Sequence, residues 1–230
     1  MLQLVVASGN VHKVTELQSM FDAAALGVEV LPARSLGAPP EVEETEMTFE
    51  GNARLKADGY ARWLQRIGAT RPGALCLADD SGICVNALDG GPGVHSARFA
   101  GATATDADNN AALVSALRSR GLDASDAHYT CVLTLVRVDG APLRWRAPSE
   151  HATAAVRMEE GRLVVVGRCH GEVRTASRGS GGFGYDPHFW VDGRARTFAE
   201  LTDAQKAARS HRGAAFSSLV ACWSDLEGLA

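Results

Sequence analysis

The 230-residue chain lacks the means for a disulfide framework or a cysteine-built zinc site. It has five cysteines, an odd number, and no C-x-x-C pair. That usage fits reduced thiols in the cytoplasm. Long apolar runs are missing as well. No stretch approaches the length of a membrane span, and the opening MLQLVVASGN is too short, and too poor in basic residues, for a secretory signal. Nor is there an excess of positive charge. The 23 lysines and arginines are outnumbered by 27 acids, giving a net charge of −4, which argues against a broad electrostatic grip on nucleic acid. A small anionic ligand is not excluded, since it needs only a local cationic pocket. There is no internal repeat, low-complexity tract or linker, so residues 1–230 read as a single domain. With 46% hydrophobic and 22% charged residues, the chain has an ordinary soluble composition and can bury a core unaided.

What is present alternates between strand and helix. Leu2 to Ala7 is a short β-branched run, and Asn10 stands as an N-cap before Val14, Leu17 and Phe21 at helical spacing, predicting a helix over about Val11 to Ala24. Gly27 to Leu31 reads as a second strand. Thr48 then caps a long helix ending at Gly68, and ALCLA is a buried strand leading into a DDSG turn. Thr105 caps a helix carrying Leu113, Val114 and Leu117. Tyr129 to Val138 reads as a strand, with Asp139-Gly140 suggesting a hairpin to the next apolar stretch, and Leu163 to Val166 as another. A helical region from about Asp203 to Leu226 follows. The pattern is α/β with a mixed sheet flanked by helices.

Four features are out of place for mere structure. Lys13 falls in a first helical turn, where the macrodipole disfavours a cation unless an anion binds there; the plain alternative is a solvated lysine. In KAARSHRGAAF, Lys206, His211 and Arg212 cannot share one face of a continuous helix, because five and six residues rotate by roughly 140° and 240°. If Ser210 caps a new helix, the three can converge; otherwise they are a basic surface. The loop RGSGGFGYDP surrounds Phe183 with glycines, so Phe183 either lies against a flat ring or folds into the core. Finally, Asp79 and Asp80 are adjacent like charges, with more acid in EVEETE around Glu44. Carboxylates together with a polyphosphate recruit Mg²⁺, whereas a bare DD pair is commonly an exposed turn.

The order SGNVHK, EETEMTFEGNA, LADDSG with GGPGVHSAR, GGFGYDP and then ELT…K…SHR resembles the inosine triphosphate pyrophosphatase family over Val5 to Ala214. The resemblance implies two lobes of a largely continuous mixed sheet with the active site in the cleft between them. It implies phosphate binding by Ser8, Asn10 and Lys13, with Gly9, Val11 and His12 in the same segment, and by Lys56. Asp80 is implied as catalytic residue and, with Glu44, as Mg²⁺ ligand, and Ser81 as a substrate contact. Phe183, Gly184, Tyr185 and Asp186 match the base-binding loop, completed by Lys206, His211 and Arg212.

The implied reaction hydrolyses ITP, dITP or XTP to the monophosphate and pyrophosphate, in a cytoplasmic homodimer with no nucleic-acid or membrane partner. The departures are His12, His188, Trp190 and a longer stretch at about 147–161, read as a surface insertion. Alternatives are a modified-nucleotide pyrophosphatase of the related septum-inhibitor family, against which SGNVHK argues, and a catalytically silent nucleotide-binding protein, against which Glu44 and Asp80 argue. A haloacid-dehalogenase-type phosphatase is weaker, because DDSG lacks D-x-D spacing.

Overall fold

The computed structural model describes residues 1–8, 11–146 and 155–227, with the side chains of Val11 and His12 outside that description. In chain order the elements are β1 (Leu2–Val6), α1 (Val11–Ala23), β2 (Val28–Pro32), α2 (Phe49–Ile67), β3 (Leu75–Val85), α3 (Asp106–Arg118), β4 (Ala124–Arg137) and β5 (Arg144–Trp145). There follow β6 (Val156–Glu159), β7 (Arg162–Arg174), β8 (Phe189–Val191), β9 (Arg196–Thr197), α4 (Asp203–Arg209), α5 (His211–Cys222) and β10 (Leu226–Glu227). The main sheet has the order β2-β1-β3-β4-β7-β8-β9, with β6 on β7. β1 runs parallel to β2 and β3, whereas β7, β8 and β9 are antiparallel neighbours, so the sheet is mixed, as the alternation of elements predicts.

Two compact units divide the chain. The first comprises Met1–Asp80, Val132–Gly167 and Ala215–Ala230; the second comprises Ser81–Cys131 and Arg168–Ala214. In the first, α1 buries Val14, Leu17 and Phe21, and Phe21 meets Trp223 edge-on at 4.6 Å. Thr48 caps α2 by accepting from the Gly51 N–H, and the left-handed Gly68 ends it, both at the positions read from the sequence. The core of the second unit gathers Ile83, Leu113, Leu117, Tyr129, Tyr185, Phe189 and Phe198. Thr105 caps α3 in a reciprocal box with Asp108.

Two expectations are corrected. DDSG is not a turn: β3 runs through it to Val85, and the chain turns only at Asn86–Leu88. Tyr129–Val138 and Arg144–Trp145 do not form a hairpin, because β5 pairs with β10 instead. Within the stretch read as a surface insertion, β6 pairs antiparallel with the first residues of β7, and residues 147–154 lie outside the described residues.

The helical region after Asp203 is broken at Ser210, whose extended backbone (φ −72°, ψ 156°) ends α4. Its hydroxyl accepts from the Gly213 N–H at 3.0 Å and so opens α5. The bend packs α5 tightly on α4: a methyl group at Gly213 would stand 1.7 Å from the Ala207 carbonyl oxygen. Gly213→Ala should therefore destabilise the protein by about 1–3 kcal/mol, read as a lower urea midpoint at unchanged m-value. Ser210→Ala should cost about 1 kcal/mol through the lost cap.

Candidate active site

The adjacent acids sit in the interior stretch of β3, 9% and 7% exposed. Successive side chains of a strand point to opposite faces, and each acid meets its own cation. Lys13 Nζ lies 2.7 and 2.6 Å from the two oxygens of Asp79. The first-turn lysine of α1 is thus tied to β3 by a largely buried ion pair. On the other side, Asp80 Oδ2 accepts from Asn52 Nδ2 at 3.2 Å, and its Oδ1 lies 3.4 Å from Lys56 Nζ. Lys56 also donates to Glu44 Oε1 at 3.2 Å. Asn52 and Lys56 are one turn apart on α2, which aims both at the same carboxylate.

Burial pushes the Asp80 carboxyl above its ordinary range; Lys56 opposes this and Glu44 adds to it. Burial alone would depress Lys56, but Asp80, Asp79 and Glu44 more than reverse it and hold the ammonium above its usual value. The result is two carboxylates around one ammonium. Ser81 follows Asp80 on the strand, half-buried. Ser8 ends the described stretch after β1, and Gly9 and Asn10, including the expected cap, lie outside the described residues, as do the side chains of Val11 and His12.

In the second unit the glycine-dense loop splits the alternatives left by the sequence. Tyr185 enters the core, 3% exposed, and its hydroxyl donates to the Ser96 carbonyl at 2.7 Å. Phe183 stays out, 57% exposed. Asp186 is buried, accepts from the Phe183 N–H at 2.8 Å and pairs with Lys206. Burial raises the Asp186 carboxyl, and Lys206 opposes the shift. Gly182, at φ +75°, leaves the space Asp186 occupies: a β-carbon there would stand 2.0 Å from its Oδ2. The Lys206 ammonium also lies 4.1 Å from the centre of the Phe183 ring. Past the Ser210 break, His211 stacks on buried Tyr129 at 4.7 Å with planes 10° apart. Arg212 is half-buried, and its Nε has no hydrogen-bond partner among the described residues. Phe183, Lys206, His211 and Arg212 therefore present an aromatic face and nitrogen donors within one compact unit.

A family model described as the Ham1 family matches residues 4–222. The chain belongs to the Ham1 family. It is 44% identical over 219 residues to the dITP/XTP pyrophosphatase of Chromobacterium violaceum, covering 95% of each chain. It is 38% identical over 220 residues to that of Exiguobacterium sibiricum, covering 96% of each. Its fold is similar to the solved HAM1 protein of Coxiella burnetii, with a TM-score of 0.79 and 33% identity over 97% of this chain and 99% of that one. The kinship read from the five motifs is borne out at the level of the family.

Several residues of this Ham1-family chain escaped the sequence reading. Asn52 holds both Asp80 and the Glu46 N–H (2.9 Å), fixing the acidic loop beside the strand; its place one turn before Lys56 was the available signal. Asp106 and Asn110 have no such signal. They lie one turn apart at the start of α3 and grip both backbone groups of Gly184. Its N–H donates to Asp106 Oδ2 at 2.7 Å, and its carbonyl accepts from Asn110 Nδ2 at 2.9 Å. This clamp sets the loop that carries Phe183. Losing one such bond costs about 0.5–1.5 kcal/mol. Asp106→Ala should therefore speed hydrogen–deuterium exchange at the Gly184 amide by about two- to twelvefold, and unchanged exchange would show that the clamp carries no weight.

Proposed function

We propose that this protein hydrolyses non-standard purine nucleoside triphosphates (ITP, dITP and XTP) to the monophosphate and pyrophosphate, with Mg²⁺ as cofactor. The observation that carries the reading is the buried Asp80 carboxylate, fixed by Asn52 and sharing one ammonium with Glu44. An ion pair made only for stability needs one carboxylate per lysine. Here two carboxylates converge on Lys56 and are held where a further cation would be drawn in. Among the described residues no three or more His, Cys, Asp or Glu form a metal cage. That suits Mg²⁺, which takes one or two carboxylates and completes its shell with water and substrate phosphate. Glu44 and Asp80 would hold it, and the bound ion would supply positive charge to the phosphate oxygens.

In this reading Asp80 orients the attacking water and takes its proton. Lys13 and Lys56 offset the charge gathering on the departing pyrophosphate, Lys13 with Asp79 behind it as counter-charge. The segment Ser8 to His12 grips the phosphates, and Ser81 contacts substrate. Phe183 lies against the base, and Lys206, His211 and Arg212 offer donors to the oxygen at C6. The relatives' names, dITP/XTP pyrophosphatase, support the same substrate class. A homodimer in the cytoplasm belongs to the same proposal; sedimentation would read the oligomeric state.

With ITP and Mg²⁺ the expected products are inosine monophosphate and pyrophosphate, and EDTA should stop turnover until Mg²⁺ is restored. Inosine diphosphate as the primary product would overturn the reading. Asp80→Asn should remain folded and bind nucleotide while losing at least ~10²–10⁴-fold in kcat. A site that hydrogen-bonds one group can reject an analogue lacking it by ~10⁴ or more, so kcat/KM for ATP should fall far below that for ITP, with GTP between them. Equal use of ATP and ITP would show that the donor set does not select 6-oxopurines.

A further inference from the structure

Away from the residues above, the second unit brings two histidines together on neighbouring strands. Ala127 and Tyr129 of β4 and Cys169 of β7 point into the core, so the two-residue alternation turns His128 and His170 to the opposite face. Their ring centres are 5.5 Å apart with planes at 34°. Both residues line a concavity of about 320 Å³, together with Asn86, Asp126, Ala127 and Gly171. Neither imidazole has a hydrogen-bond partner among the described residues, which leaves their nitrogens available.

We propose that His128 and His170 form a two-histidine chelate for a borderline divalent transition ion such as Zn²⁺, Ni²⁺ or Cu²⁺. The distance supports this directly. An imidazole nitrogen binds such an ion at about 2.0–2.1 Å, which puts each ring centre roughly 3.2 Å from the metal and two such centres about 5.2 Å apart at a tetrahedral angle. The observed separation lies within a few tenths of an ångström of that value. A side-by-side pair kept only for packing has no need of a recess with room for an ion and its waters. Imidazole is also the ligand type that separates these ions from Mg²⁺ and Ca²⁺, which prefer oxygen.

The surroundings are consistent. Asp126 on the rim is engaged by Arg194 at 2.7 Å, and the remaining positions on the ion fall to water.

The test is titration of the full chain with Ni²⁺ at neutral pH by calorimetry, in excess Mg²⁺, for wild type, His128→Gln, His170→Gln and the double variant. The chelate requires both rings. Each single variant should weaken the site roughly tenfold or more, and the double variant should lose it, while circular dichroism and thermal unfolding without Ni²⁺ match wild type. Wild-type affinity retained by either single variant, or no Ni²⁺ uptake by the wild type, overturns the proposal. Because the readout is metal uptake, the result does not depend on whether the proposed hydrolysis is found.

Discussion

The first unit depends on one electrostatic problem: β3 carries two adjacent carboxylates into the interior. Withdrawing an ion from water costs several kcal/mol even after relaxation, and two neighbouring charges of like sign would add repulsion to that cost. The strand's own geometry removes most of the conflict by sending the two side chains to opposite faces. Each then requires a cation of its own. Lys13 answers Asp79 and Lys56 answers Asp80, so the start of α1 and the middle of α2 are both fixed to one short stretch of β3. Breaking either pair would strand a charge in a poorly hydrated place, which makes the arrangement rigid.

The same constraint explains why the two acids differ in chemical reach. Asp79 has an ammonium in close contact with both its oxygens. Asp80 has a neutral amide on one oxygen and, on the other, a more distant lysine shared with Glu44. A carboxylate that is fixed but incompletely neutralised suits the water activation and metal binding proposed for Asp80. One that is fully neutralised suits support. The adjacency of the acids and their division of labour have one origin, the period of the strand.

The second unit solves a different problem, the presentation of an exposed aromatic ring on a glycine-rich loop. Left to itself such a loop has too much conformational freedom to hold a ring in place. Here the loop is fixed from several sides. Tyr185 anchors in the core, Asp186 folds back onto the Phe183 N–H and Lys206, and α3 holds Gly184 by both backbone groups. The loop is thus ordered by contacts within its own unit, which is the preorganisation that the base-binding role proposed for it would need.

The sequence by itself determined the α/β class, the caps at Thr48, Gly68 and Thr105, and the family, because caps, apolar periodicity and ordered motifs are local properties of the chain. It also posed the right alternatives at Ser210 and Phe183 without deciding them, since both turn on what the neighbouring chain leaves room for. Only the tertiary structure decided that DDSG is strand. A pair of acids ordinarily signals a turn, and that local preference is overridden by cations supplied from helices some 66 and 24 residues away. The roles of Asn52, Asp106 and Asn110, the pairing of β5 with β10, and the meeting of His128 with His170 belong to the same class. Each is a contact between residues distant in sequence, and no local pattern encodes which distant partner the fold will bring.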